Sequence, residues 1–368
     1  MTSRATELPE GDSRRSSDAP EEAVNGPMLA DNFEDDTSDF ESEYSDLTSL
    51  SSSILNYEYQ NGRRYHSGRL SNYMMPNDEE EQDRMDLVWF QSPFHDLNYT
   101  LTIEGTSYVR FVSPHEVSFV NMTVIRWLLL MKGELYQAPV ENPQKILDLG
   151  TGTGIWAIDI AEKFPEAHVI GTDISPIQPS WVCPNLEFVI EDFEDEWVYE
   201  PGSFDFIHAR LLAGCIADWP KFFQRCYECL KPGSYFEIQE SAVWIWSDDG
   251  SCPVDSPLFE CVKAIDIASN ANGKPCNIYP FLKDWMIGAG FEDVQQLIYF
   301  LPYSPWPKDP YLKEIGKYQL IQAQQGVEAY SMRLFTDVLG WGEDVSRIFH
   351  AQAKQQLRDK HMHAYVKE

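Results

Sequence analysis

Apolar and polar positions change rhythm three times along the chain. Residues 1–55 are rich in Ser, Asp, Glu and Thr and hold few large apolar groups. Such a stretch cannot bury enough surface to offset the entropy of ordering, so it reads as a disordered acidic tail. Residues 56–87 turn aromatic, with Tyr57, Tyr59, Tyr65, Tyr73, Met74 and Met75 ahead of the acidic run Asp78-Glu79-Glu80-Glu81-Gln82-Asp83. Carboxylates favour the positive end of a helix, so this stretch is expected to be an ordered arm that leads into a helix. From about residue 144, short apolar runs alternate with helical spacing, the pattern of an α/β sheet. Strands are predicted at 145–149, 168–173, 186–190, 204–208, 235–239, 294–300 and 363–367. One helix is predicted to run up to Pro165, and another over about 218–230, stopped by Pro232-Gly233.

Charge narrows the partners. The net charge of the 368 residues is −31, and residues 1–55 contribute fourteen Asp and Glu against three Arg, leaving −20 on the rest. A surface this acidic repels a phosphate backbone, so direct nucleic-acid binding is not expected. No apolar run approaches the roughly 20 residues of a membrane span, and the N-terminus shows no signal-like apolar region. With seven cysteines, these features point to a reducing compartment, cytoplasmic and/or nuclear. The single Cys226-x-x-Cys229 is expected to be a buried helix face rather than a redox or metal site. No metal-ligand cluster stands out.

The chemistry-bearing segment is Asp148-Leu149-Gly150-Thr151-Gly152-Thr153-Gly154, set between a predicted strand and a predicted helix. Glycines at alternate positions let the backbone turn tightly and approach a ligand. The helix that follows offers free N–H groups to a carboxylate or phosphate. Asp173 closes the next strand about 20 residues later, where a carboxylate can accept both ribose hydroxyls. Dinucleotide sites space their glycines G-x-G-x-x-G, whereas here the third glycine follows the second by two. A carboxylate at Asp148 would also oppose a pyrophosphate, yet it helps receive a cationic aminoacyl ligand. S-adenosyl-L-methionine, with an ammonium and a sulfonium, fits this loop better than NAD.

Several segments together resemble a known family. ILDLGTGTGIWAIDIAEKFPEAHVIGTDISPIQPSW, SFDFIHARLLAGCIADWP and LKPGSYFEIQE are similar to the class I S-adenosylmethionine-dependent methyltransferases. With NGRRYH, EEEQDRMD, PYSPWPKDP, GKYQL and HAYVKE, they resemble the fungal LaeA-like branch, the regulators of secondary metabolism and their paralogues. The resemblance covers about residues 56–87 and 127–368. It implies a Rossmann-like, seven-stranded, mainly parallel sheet with an antiparallel C-terminal strand and helices on both faces. It assigns Gly150, Thr151, Gly152 and Gly154 to the methionine part of the cofactor, Asp173 to the ribose, and Ile174, Asp192 and Phe193 to the adenine. It places His208 and Arg210 toward the leaving methyl group, with His208 the candidate base or acceptor-positioning residue. Glu237 and Glu240 are expected to be structural or solvated, and Trp244, Trp246 and Trp306 to be packing rather than the lining of an acceptor pocket.

The chain departs from the family between Asp86 and Arg126, where Val88–Ile125 split an element that the family keeps whole. This segment is either a lid insertion or a translated intron. The domain reading is therefore a tail (1–55), an arm with helices and the insertion (56–143), and a methyltransferase domain (144–368). The expected activity is methyl transfer to a small-molecule or protein acceptor linked to fungal secondary metabolism. The alternatives are a regulator working through protein partners and, more distantly, an NAD-dependent oxidoreductase. An in-line displacement on an activated methyl needs alignment and a water-poor site more than a dedicated catalytic group.

Overall fold

The computed structural model describes residues 57–66, 74–78, 81–82, 101–103, 106–108 and 122–368. The predicted tail, 1–55, lies outside them, as does most of the 88–125 segment. Of that segment, β3 (Leu101–Ile103) and β4 (Thr106–Tyr108) form an antiparallel hairpin, and α1 (Met122–Leu130) begins near its end. The arm contains β1 (Tyr57–Gln60) and β2 (Arg63–His66), a hairpin closed by Asn61 and Gly62, both at positive φ. Asn-Gly with φ > 0 at both central residues is the tight turn whose twist matches paired strands. Asp78 Oδ1 accepts the Glu81 N–H at 2.9 Å, and residues 81–82 are helical; the rest of the expected helix lies outside the described residues.

The core sheet comprises β5 (Lys145–Leu149), β6 (His168–Asp173), β7 (Leu186–Ile190), β8 (Phe204–Arg210) and β9 (Leu230–Gln239). The five strands are parallel in the order β7-β6-β5-β8-β9. Ligands in such sheets bind beyond the carboxyl ends of the strands, where the order reverses, here between β5 and β8. On one face, α2 (Ile155–Lys163) lays Trp156, Ala157 and Ile160 over Ile146, Val169 and Phe206. On the other, α3 (Trp219–Cys229) packs Trp219, Phe222 and Phe223 against Leu147, Ile207 and Phe236. Each such aromatic contributes about 1.5–3 kcal/mol by leaving water. Cys226 and Cys229 belong to this buried face, and burial pushes both thiols up.

Two expectations need correction. Pro232-Gly233 does not end the preceding helix, which stops at Cys229, where Leu230 is already extended. Instead the pair sits in a bulge of β9, where the register jumps from Phe204↔Leu230 to Phe206↔Tyr235. A bulge tolerates a residue with no N–H and a glycine at positive φ.

Nor do seven strands form one sheet. The last two, β10 (Phe300–Pro302) and β11 (Tyr365–Lys367), are shorter than predicted and pair antiparallel with each other. Residues 295–297 are exposed, and β10 starts only at Phe300. The pair meets the sheet beyond β9, through the Ala242 N–H to Lys367 O bond (2.8 Å) and a Trp246–Tyr365 bridge. Just past β9 the Glu240 side chain takes the Leu212 N–H.

A further layer is built from α4 (Pro257–Ala271), α5 (Leu282–Ala289), α6 (Pro310–Arg333) and α7 (Glu343–Leu357). A π-helical turn, Leu334–Val338, links α6 to the segment before α7. The arm hairpin rests on this turn. Gln60 Nε2 donates to Asp337 Oδ1 at 2.6 Å, and the Arg333 guanidinium lies 4.6 Å from the centroid of the buried Tyr65 ring. Among the described residues no helix is long and apolar enough to cross a membrane.

Candidate functional site

The glycine loop joins β5 to α2 and has Gly150, Gly152 and Gly154 at φ +67, +60 and +84. Only glycine adopts three such residues in succession without strain. Side chains here would also collide. A Cβ on Gly150 would stand 2.5 Å from Leu212 Cδ2, and one on Gly154 would enter the Phe188 ring. The loop is tied down by Thr151 N–H to Thr172 O at 2.8 Å and by Gly152 N–H to Asp173 Oδ2 at 2.8 Å. Gly154 caps α2 without a side-chain bond, and the first turn of α2 holds no acidic residue. The positive end of the helix dipole is thus left uncompensated, suited to an incoming carboxylate.

Beneath the loop lies a buried chain of contacts. Asp148 Oδ2 accepts the Thr151 hydroxyl at 2.6 Å, and Asp148 Oδ1 lies 2.7 Å from His208 Nδ1. These two side chains are opposite each other in the β5–β8 register. The His208 ring stacks on Trp156 at 3.6 Å between centroids and 7° between planes. His208 is 0% exposed, and burial lowers its pKa despite the neighbouring carboxylate. A neutral imidazole whose Nδ1–H donates to Asp148 matches this geometry, and Nε2 has no partner.

The nucleoside side is equally compact. Asp173 accepts the Ser175 N–H at Oδ1 (2.8 Å) in addition to the Gly152 N–H. Burial pushes its carboxyl up to about 6, against the opposing effect of these two bonds. Each oxygen retains a lone pair, so a ribose diol fits. Ile174 follows at the strand end. Asp192 accepts the Glu194 N–H at 2.9 Å, and its neighbour Phe193 lies beside Gly150 and edge-on to Phe222. Gln178 is a residue that sequence reasoning missed. Its Nε2 donates to Gly152 O (2.6 Å) and Ser175 O (2.9 Å), stitching the loop after β6 to the glycine loop. Its only sequence signal is a position five residues past Asp173.

Toward the ends of β8 and β9 the expectations divide. Glu237 is structural, its Oε2 accepting the Gln137 and Ala138 N–H groups at 2.8 Å each. Glu240 is buried, and burial pushes its carboxyl up to about 8. Trp306 is packing, with its indole N–H on Ala364 O at 3.0 Å, and Trp244 meets Phe259 edge-on. Trp246 stacks with Tyr365.

Comparison with known proteins agrees with this geometry. A family model described as a methyltransferase domain matches residues 128–296. The methyltransferase pytC of Aspergillus terreus is 36% identical over 322 residues, 87% of this chain and 88% of that protein. The secondary metabolism regulator LAE1 of Cochliobolus heterostrophus is 33% identical over 83% of this chain and 91% of that protein. The protein-methionine methyltransferase laeA of Emericella nidulans is 31% identical over 84% of this chain and 74% of that protein.

Proposed function

The chain belongs to the LaeA-like family of S-adenosylmethionine-dependent methyltransferases, and we propose that it methylates a small-molecule acceptor of fungal secondary metabolism. The observation that carries the cofactor side is the Asp173 carboxylate, held against the glycine loop by the Gly152 N–H and facing the uncapped start of α2. When bound, S-adenosylmethionine supplies a methyl group already activated by its sulfonium. Asp173 holds the ribose hydroxyls, with Ile174, Asp192 and Phe193 around the adenine. The N–H groups of the loop and of the α2 start receive the carboxylate of the methionine part, and Asp148 sets a negative charge near its ammonium.

His208 acts here as a positioning residue. By holding Asp148 and stacking on Trp156 it fixes the floor of the loop, and thus the alignment an in-line displacement needs.

Calorimetry with S-adenosylhomocysteine and NADH tests the reading. Micromolar binding of the first with none of the second is expected, and the reverse pattern would overturn it. The naming of LAE1 as a regulator favours a second reading, action through protein partners. Under that reading, a variant that cannot bind the cofactor would still restore metabolite production in a deletion strain.

A further inference from the structure

A second constellation lies past the carboxyl ends of β8 and β9. Arg210, half-buried, closes β8 and donates Nε to Gln239 Oε1 at 2.8 Å. Its two terminal nitrogens have no hydrogen-bond or ion-pair partner among the described residues. Burial pulls its pKa down to about 10, so it stays charged at neutral pH. Its guanidinium lies 5.8 Å from the centroid of the buried Trp127 ring, and Arg126 lies 5.8 Å from the same ring. Arg126 donates Nη1 to Gln319 Oε1 at 2.9 Å and pairs with Glu368 at 3.2 Å, the two side chains being 4% and 0% exposed. Glu240 takes the Leu212 N–H on Oε1 at 2.5 Å, while its buried Oε2 has no partner.

Most of the unpaired atoms are donors. Arg126 Nε–H and Trp127 Nε1–H are buried donors without acceptors, while Glu368 Oε1 has no hydrogen bond but lies 3.2 Å from Arg126 Nη2. Burial pushes the Glu240 carboxyl up to about 8, which favours its protonated form at neutral pH and lets the unpartnered Oε2 donate. The terminal nitrogens of Arg210 complete the set. The nearby carboxylate, Glu368, is engaged with Arg126. A buried donor left unpaired costs about 1–3 kcal/mol, so a group of them marks a place where a ligand supplies acceptors. Arg126 is paired with Glu368, while Arg210 feels the charges of Asp148 and Glu237 without pairing with either, so its terminal nitrogens stay available to an anionic group. Trp127, Tyr299, Leu301 and Leu312 form an apolar cluster alongside, suited to a hydrocarbon or aromatic body.

We propose that Arg210, Arg126, Trp127 and Glu240 form the acceptor-recognition site, and that the acceptor is a small molecule anchored by a single carboxylate on the terminal nitrogens of Arg210. This inference rests on the methyltransferase reading, since it assigns the acceptor side of that site. A planar guanidinium edge matches a carboxylate with two parallel bonds. The neighbouring carboxylates Asp148 and Glu237 oppose a phosphate dianion more than a monoanion.

The test titrates benzoate, its uncharged isostere benzamide, and inorganic phosphate into the full chain saturated with S-adenosylhomocysteine, followed by saturation-transfer NMR and calorimetry. Benzoate is expected to bind at least tenfold more tightly than benzamide or phosphate. Arg210→Met is expected to lose that preference while S-adenosylhomocysteine affinity stays within threefold. Trp127→Phe, which keeps an aromatic ring and removes the N–H together with the pyrrole part of the indole, is expected to weaken benzoate severalfold and provides the readout if Arg210→Met does not fold. Equal binding of benzoate and benzamide by the wild-type chain overturns the proposal. So does loss of S-adenosylhomocysteine binding in folded Arg210→Met, which would make Arg210 a cofactor ligand. Failure of the wild-type chain to bind S-adenosylhomocysteine at all overturns the cofactor reading instead, and benzoate titrated into the unloaded protein still judges the anion site.

Discussion

The cofactor half of the molecule and the acceptor half are assembled by different kinds of contact. In the first, β5, α2, β6 and β7 follow one another, and the bonds that shape the site are short in sequence. Thr151–Asp148 spans 3 residues, Gly152–Asp173 spans 21 and Gln178–Gly152 spans 26. In the second, the polar cluster is closed by Arg126–Glu368 across 242 residues and Arg126–Gln319 across 193. The arm hairpin reaches Asp337 across 277. A site made from consecutive βα units is nearly complete once its strands pair. One made from distant segments depends on the whole chain having folded.

The largest effect should come from breaking the distant half. Glu368→Leu leaves the Arg126 guanidinium buried without its carboxylate, which costs about 3–5 kcal/mol. Urea denaturation should show that loss, while S-adenosylhomocysteine affinity of the folded fraction stays within threefold. A collapse of cofactor affinity in folded protein would erase the distinction between the halves.

Next is Asp173→Ala, which removes a charged acceptor from two ribose hydroxyls. About a hundredfold loss of S-adenosylhomocysteine affinity is expected, with a smaller drop in the unfolding midpoint from the Gly152 and Ser175 N–H groups left without their acceptor. Retained affinity would move the nucleoside site elsewhere.

The pH dependence is smaller. With the Asp173 carboxyl pushed up to about 6, the accepting carboxylate is fully present above pH 7 and is lost as pH falls through 6. Affinity should drop about tenfold between pH 7 and pH 5, and Asp173→Asn should flatten that profile. The same shift makes the folded state favour the protonated form, so this group costs stability as pH rises from about 4 to 6.

The smallest effect belongs to Gly62→Ala, at φ +79 with open space around the missing Cβ. Strain alone should cost about 1 kcal/mol in denaturation and leave cofactor binding untouched. A change in binding there would couple the arm to the cofactor half.

The same division explains what the chain reveals before it folds. The limits of β5, β6 and β7 coincide with the apolar runs, because each run is bounded by polar or turn-forming residues. The glycine spacing and Asp173 carry the nucleoside geometry, since a tight loop and a carboxylate one strand away admit few arrangements. Arg210 is placed toward the methyl group by the family resemblance alone, and Glu240 carries no comparable sign. Glu240 looks like any acidic residue after a strand, and its burial depends on the Leu212 backbone and on Glu368. The antiparallel C-terminal pair reads as strands, but that the two pair with each other and not with the sheet depends on segments far apart in the chain.

The docking of the hairpin also has a consequence for synthesis. Tyr57–His66 emerges early, while its partner Asp337 follows 277 residues later. At about 5–20 residues per second the hairpin waits roughly 15 seconds to a minute on the ribosome. Throughout that interval Tyr65, destined to be 1% exposed, has no surface to cover it. A two-stranded hairpin is marginal alone in water. The nascent arm therefore presents an aromatic segment to chaperones for most of translation, and it is sealed only after the π-helical turn has formed.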